Sequence, residues 1–269
     1  MAKYKKKRAR ELQHDKFRDT TMHFFDRVGD KLAGKGQTIL YAIVAVVIAA
    51  AVIGLFVRWR NRKGDEARAA LGRAIAITQT PVSSSPEPGT PGQKFSSEQE
   101  RAQKAIEEFQ KVAAKYGDPY RTEAQYFIAT NLLQVDRGKA ISNLNELGKN
   151  SNREVATLAK FSLAQAKEND GAFDEAAALY RELASQNTNV VTAETANLRL
   201  GIVYSKQGKK KEAADLFFNI AENARKAKDA EGNPAPQSQA ARDAAQELQK
   251  LDSARYDQLT PEAPPNMPF

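Results

Sequence analysis

The sequence predicts an all-α protein, a single transmembrane helix followed by a solenoid of helical hairpins. Three observations lead there. Residues 38–57 run for twenty positions without a charge. After them, amphipathic helices alternate with short breaks, and no stretch shows the apolar–polar alternation of a half-buried strand. Near the middle, small and aromatic residues return at a fixed spacing, which a stack of similar helix pairs requires.

The apolar run reads TILYAIVAVVIAAAVIGLFV, and as a helix it spans roughly 30 Å, the thickness of a bilayer's hydrocarbon core. Its Ile, Leu, Val and Phe residues favour insertion by about 4–7 kcal/mol. Tyr41 near one end and Trp59 just past the other fit the interfacial aromatic positions. Arg58, Arg60, Arg62 and Lys63 follow with no small-residue cleavage site, so the run reads as a retained anchor rather than a signal peptide. Ala50 and Gly54 form a small-xxx-small pair that can seat a partner helix.

Before the span, residues 1–37 hold eleven Lys/Arg against five Asp/Glu, leaving +6 of the formal +8 in the tail. The part after residue 57 is nearly neutral, unlike a nucleic-acid-binding fold, which carries its charge on a folded face. Phe17, Thr21, Phe24, Phe25, Val28 and Leu32 recur at helical spacing. They suit either an amphipathic helix at the membrane interface or an early start of the span. Local Lys/Arg counts slightly favour a cytoplasmic C-terminus, but the whole basic tail opposes translocation. The reading adopted places the N-terminus inside and the large domain outside.

The chain thus divides into a basic tail with its juxtamembrane helix (1–37), the span (38–57), a repeat domain (58–259) and a disordered tail (260–269). In the repeat domain, Ala67, Leu71, Ile75 and Thr78 line a first helix. The Pro/Gly-rich loop 80–95 then interrupts it, with no core of its own. Ser96 and Gln99 suggest a capping box for a helix carrying Ala102, Ile106, Phe109, Val112, Ala113 and Tyr116. Asp118 as N-cap with Pro119 at the first helical position opens a helix to about Gln134. Helices follow over 137–147, from a Ser151/Glu154 capping box to Asn169, and over 173–186, 192–207, 210–228 and 237–258.

The repeat lies in the spacing. Gly171, Ala176 and Tyr180 are matched 37 residues later by Gly208, Ala213 and Phe217. Leu200, Gly201 and Tyr204 complete L-G-x-x-Y…G…A-x-x-x-F in the second unit. Leu163, Ala164 and Lys167 stand in the equivalent places of the first. This pattern resembles the tetratricopeptide repeat family. A third unit around Ala129, Ala140 and Leu144 is less regular, and a fourth pairs 64–79 with 97–116 across the loop.

The layout also resembles the tetratricopeptide-like ancillary subunit of the bacterial Sec translocon: Phe24-Phe25 before the span, Gly54 within it, Arg58-Trp59-Arg60 after it, then repeats. That resemblance implies a single-pass bacterial inner-membrane protein whose periplasmic, chaperone-like domain binds the translocon or its clients. The longer basic tail and the 80–95 insertion depart from the pattern.

Chemistry is sparse. There is no cysteine, and the two histidines, His14 and His23, precede the span. No phosphate-binding glycine motif occurs, and acids such as Glu107 sit beside bases such as Lys111. The expectation is a non-enzyme without cofactor or metal, binding proteins in a concave groove lined by the first helix of each pair. The candidate groove residues are Asn131, Phe161, Gln165, Asn169, Leu198, Arg199, Ile202 and Lys206. The rival reading assigns the activity to Lys3, Lys5, Lys6, Lys7, Arg8 and Arg10, which would bind ribosomal RNA, other nucleic acid or anionic lipid while the repeats act as spacer.

Overall fold

The computed structural model describes residues 52, 63–83, 95–186 and 188–262. The span, its flanking Tyr41 and Trp59, the Ala50/Gly54 pair and the basic tail lie outside the described residues, apart from Val52, which is helical and exposed. Among the described residues no helix is long and apolar enough to cross a membrane. The chain forms two compact units, Met1–Asp65 and Glu66–Phe269.

The described part of the second unit is all-α, with isolated single-residue bridges in place of strands. Its helices are α1 (63–78), α2 (Glu98–Lys115), α3 (Tyr120–Leu132), α4 (Arg137–Leu147), α5 (Arg153–Asn169) and α6 (Phe173–Gln186). They continue as α7 (Ala193–Lys206), α8 (Lys210–Lys226), α9 (Gln239–Leu251) and the single turn α10 (Ser253–Tyr256).

The core shows how the helices are grouped. Leu71 and Ala74 of α1, Phe109 and Val112 of α2 and Ala124 of α3 form one cluster. Ala129 of α3, Leu144 and Leu147 of α4 and Leu163 of α5 form the next. Ala164 of α5, Ala176 and Tyr180 of α6 and Leu200 and Val203 of α7 form a third. Leu198 of α7, Ala213 and Phe217 of α8 and Ala244 and Leu248 of α9 form the last. Each cluster is a hairpin closed by the first helix of the following one, so burial comes from stacking neighbours, the physics of a solenoid. Four hairpins stack this way, and α9 ends the row. Its Ala241, Ala244, Ala245 and Leu248 face inward, while Arg242, Gln246, Gln249 and Lys250 face water, as a terminal cap requires.

Small residues set the spacing between helices. Ala105, Ala124, Ala129, Ala140, Ala159, Ala164, Ala176, Ala196 and Ala213 are fully buried at the crossings. Gly201 goes further: a Cβ there would lie 2.5 Å from Cε1 of Phe217, so only glycine lets α7 and α8 approach around that ring. The turns joining α5 to α6 and α7 to α8 are one motif used twice. Gly171 and Gly208 adopt φ of 75° and 77°, and the next residue's N–H reaches back to Lys167 O and Tyr204 O, 2.9 Å in each case.

Several local expectations are corrected. The cap of α2 is Ser97, not Ser96. Its hydroxyl accepts from Glu100 N, while Glu100 Oε2 accepts from Ser96 N at 2.8 Å, so the box closes on Glu100 rather than Gln99. Helix α3 begins at Tyr120 with Pro119 at the cap and ends at Leu132. Asp118 instead accepts from the Thr122 hydroxyl at 2.6 Å. Helix α5 is capped by Asn152, whose amide oxygen reaches two N–H groups, rather than by Ser151. The last predicted helix is shorter at both ends. Residues 227–238 form an irregular connection, and Asp252 breaks α9 from α10, its carboxylate capping the latter.

The described ends of the 80–95 loop are tied together. Val82 bridges Phe95, Ser83 N donates to Phe95 O at 3.0 Å, and Phe95 is buried. Nor is the tail free from residue 260, because Thr260 is held by Glu222. On the polar face of α2, Glu107 pairs with Lys104 at 2.8 Å and Lys111 with Glu108 at 2.6 Å, in place of a Glu107–Lys111 pair.

Candidate interaction surface

The first helices of the hairpins are α1, α3, α5 and α7, continued by α9. Contact passes directly from α3 to α5 and from α7 to α9. Between α5 and α7 a polar clip makes the connection. Glu168, near the end of α5, is buried to 1% side-chain exposure. Its carboxylate accepts from Arg199 Nη2 at 2.5 Å, Lys206 Nζ at 2.7 Å and the Tyr180 hydroxyl at 3.0 Å. Arg199 and Lys206 are two helical turns apart on one face of α7, so both can reach the same carboxylate.

Burial alone would push the Glu168 carboxyl up. The Lys206 hydrogen bond and the Arg199 charge outweigh that and hold it below the ordinary carboxylate range. Burial also pushes the Tyr180 hydroxyl well up, which keeps it a proton donor. The carboxylate's accepting capacity is filled by these groups, and the two cations that fill it stay only part-exposed, Arg199 at 29% and Lys206 at 45%. Nearby, Arg181 donates to the Tyr204 hydroxyl at 2.8 Å, and Lys209 lies over the Tyr204 ring.

The predicted groove residues fall into three groups. Leu198 is corrected: it is buried in the last cluster, because α9 takes the place of a next first helix and covers it. Phe161, its equivalent one repeat earlier, is also a packing residue, half-buried edge-on to Tyr180 with ring centres 5.8 Å apart. Ile202 packs half-buried against the last cluster. Arg199 and Lys206 are drawn into the Glu168 clip, and Asn131 donates to Phe127 O of its own helix at 2.8 Å. Gln165, half-buried, and Asn169, exposed, are the predicted positions left facing outward.

The repeat-signature residues occupy the interfaces. Ala176, Tyr180, Ala213, Phe217, Leu200 and Gly201 are buried, Tyr204 is half-buried, and Gly171 and Gly208 make the turns. Glu168 is the residue that sequence reasoning missed, and a signal for it existed. Glu168 and Tyr180 correspond, 37 positions on, to Ser205 and Phe217. Carboxylate and hydroxyl are present together in one unit and absent together in the next, as a bonded buried pair demands.

Two open clefts lie elsewhere. One, of about 290 Å³, is lined by Gln125, Ile128, Asn143, Glu146, Leu147 and Asn150. The other, of about 300 Å³, is lined by Arg153, Glu154, Thr188, Asn189 and the exposed Val190. Among the described residues no group of three or more His, Cys, Asp or Glu is placed to hold a metal.

No family model matches the chain, and no curated protein does. Among solved structures, the chain is similar to TPR-like repeats, nearly identical to one another, in a Podosopora anserina protein described as a kinesin light chain. The identity is 16% and the TM-score 0.47, over 72% of this chain and 88% of that one.

Proposed function

We propose that this chain is a membrane-anchored scaffold that binds other proteins along the row of its first helices, and that it is not an enzyme. The observation that carries the reading is the continuity of that row. Direct contact joins α3 to α5 and α7 to α9, the Glu168 clip joins α5 to α7, and along this row Gln165 and Asn169 stay available beside half-buried Ile202. Such a mixture of apolar and polar groups suits an extended segment or a partner helix.

The finer reading is a bacterial inner-membrane protein with its N-terminus in the cytoplasm and its repeats in the periplasm, acting near the Sec translocon on the translocon itself or on its clients. Its support is the uncharged run at 38–57, the basic tail before it and the resemblance in layout. The competing reading has the Lys3–Arg10 cluster tether the protein to ribosomal RNA, other nucleic acid or anionic lipid. It rests on six basic residues in eight positions.

Because the chain has no cysteine, a single one placed within 84–94 can be labelled selectively. Impermeant maleimide should reach it in intact cells once the outer barrier is permeabilised, and the protein should remain in the membrane fraction after a high-salt wash. Labelling that requires lysis of the inner membrane would refute the placement. Ribosome or lipid association lost on deleting 3–10, with partner capture by the repeats unaffected by Gln165→Arg and Asn169→Arg, would favour the competitor.

A further inference from the structure

The chain beyond α10 behaves as a bound peptide rather than as another layer of the stack. Pro261 restricts the residue before it to extended conformations, so Thr260 presents both its N–H and its C=O sideways. Two residues of α8, one helical turn apart, receive them. Glu222 Oε2 accepts from Thr260 N at 2.8 Å, and Oε1 accepts from the Thr260 hydroxyl at 2.8 Å. Arg225 Nη1 donates to Thr260 O at 2.8 Å. Leu259, buried, enters the edge of the last cluster.

Three features separate this contact from core packing. The stack already ends at α9, whose outer face is polar, so the segment completes no hairpin. The polar recognition is of one residue's backbone and hydroxyl, the pattern by which proteins hold extended ligands. The notch is also imperfectly filled. Arg225 is only 6% exposed, yet its Nε finds no acceptor among the described residues. Its contacts to Glu262 Oε1 and to the Tyr256 hydroxyl are long, 3.4 and 3.5 Å. A buried guanidinium prefers a two-pronged carboxylate, and here the acid reaches one nitrogen from a position that is 61% exposed.

We propose that Glu222 and Arg225 form a recognition notch for extended segments of the pattern apolar–Thr–x–acidic, which the chain's own Leu259-Thr260-Pro261-Glu262 fills as an exchangeable strap. The notch lies on α8, a second helix, so it is independent of the row of first helices. Occupancy in cis lowers the apparent affinity for any segment offered in trans by the fraction of molecules with the strap released.

The test uses a fluorescein-labelled Gln258–Glu262 peptide and the detergent-solubilised chain ending at Asp257, with folding checked by circular dichroism. Fluorescence anisotropy should show the peptide binding the shortened chain at least about tenfold more tightly than the intact one, with binding abolished by Arg225→Met. If the shortened chain does not fold, the intact Leu259→Asp variant, whose strap loses its apolar anchor, should show the same gain over the parent. No binding to a folded shortened chain, binding indifferent to Arg225→Met, or equal binding by the Leu259→Asp variant and the parent would each overturn the proposal.

Discussion

Gly201 gives a sharp test of the packing. In Gly201→Ala the added methyl would meet Cε1 of Phe217 at 2.5 Å and Cδ1 and Cζ at 3.0 Å, all atoms of a ring that is 1% exposed. The ring is enclosed by α7, α8 and α9 and cannot swing aside, so α7 and α8 must separate. Overpacking of this kind costs about 1–3 kcal/mol. Against it, alanine improves on glycine in a helix by about 1 kcal/mol. So close a contact belongs at the upper end, leaving a net loss of about 1–2 kcal/mol. Thermal unfolding followed by circular dichroism at 222 nm should show a midpoint lower by about 2–8 °C. In a Phe217→Leu background the obstructing ring atoms are gone, and the same substitution should be neutral or stabilising by up to about 1 kcal/mol. The equivalent position one repeat earlier holds Ala164 beside Tyr180, so the constraint comes from how closely α7 and α8 approach around Phe217 and not from the repeat pattern itself. Refutation is simple: Gly201→Ala stabilises the parent, or its cost is the same in both backgrounds.

Glu168→Ser strands the buried Tyr180 hydroxyl and should cost about 2 kcal/mol by urea unfolding. Combined with Tyr180→Phe, which recreates the Ser205/Phe217 pattern, it should cost less than half of that, and equal costs would show that the clip is not a unit. Acid should weaken the fold through Glu222, whose carboxyl is drawn down to about 2 by the Lys226 and Thr260 hydrogen bonds from an ordinary 4.5. Between those values the unfolded chain holds the proton that the folded one lacks, so stability is present above about 4.5 and lost as pH falls toward about 2. Urea midpoints at pH 7, 4.5 and 3 should decline, with a smaller decline in Glu222→Gln; no difference between the two would contradict this. Arg137 ties the start of α4 to the end of α5 through Asp170 at 2.7 Å and Ala166 O at 2.8 Å. Both partners of the ion pair are more than a third exposed, so Arg137→Ala should lower the midpoint by no more than about 4 °C.

Helix existence was legible because apolar periodicity and turn glycines act locally. Gly171 and Gly208, read from spacing alone, sit at the two left-handed turns the hairpins need. Caps were displaced by one residue where two candidates adjoin, as at Ser96-Ser97 and Ser151-Asn152. The choice depends on which side chain can reach the free N–H groups, a matter of geometry that composition does not carry. The surface was less legible than the core. Leu198 read as outward because periodicity within α7 cannot tell that α9 will cover it. Arg199 and Lys206 read as free groove cations because their acceptor lies more than 30 residues away on another helix. The strap was hidden for the same reason: Thr260 has no local partner, and its recognition depends on α8.

Single cysteines offer the most direct measurement of whether the first helices form the binding face. They would be placed at Gln165 or Asn169 on α5, and for contrast at exposed Ser185 on α6 of the same hairpin, each in an otherwise cysteine-free chain. Cells would be treated with a cysteine-to-amine crosslinker. Adducts with the same partner proteins from positions 165 and 169, and none from 185, are expected. Adducts from all three positions alike, or from 185 alone, would contradict the assignment of function to that face.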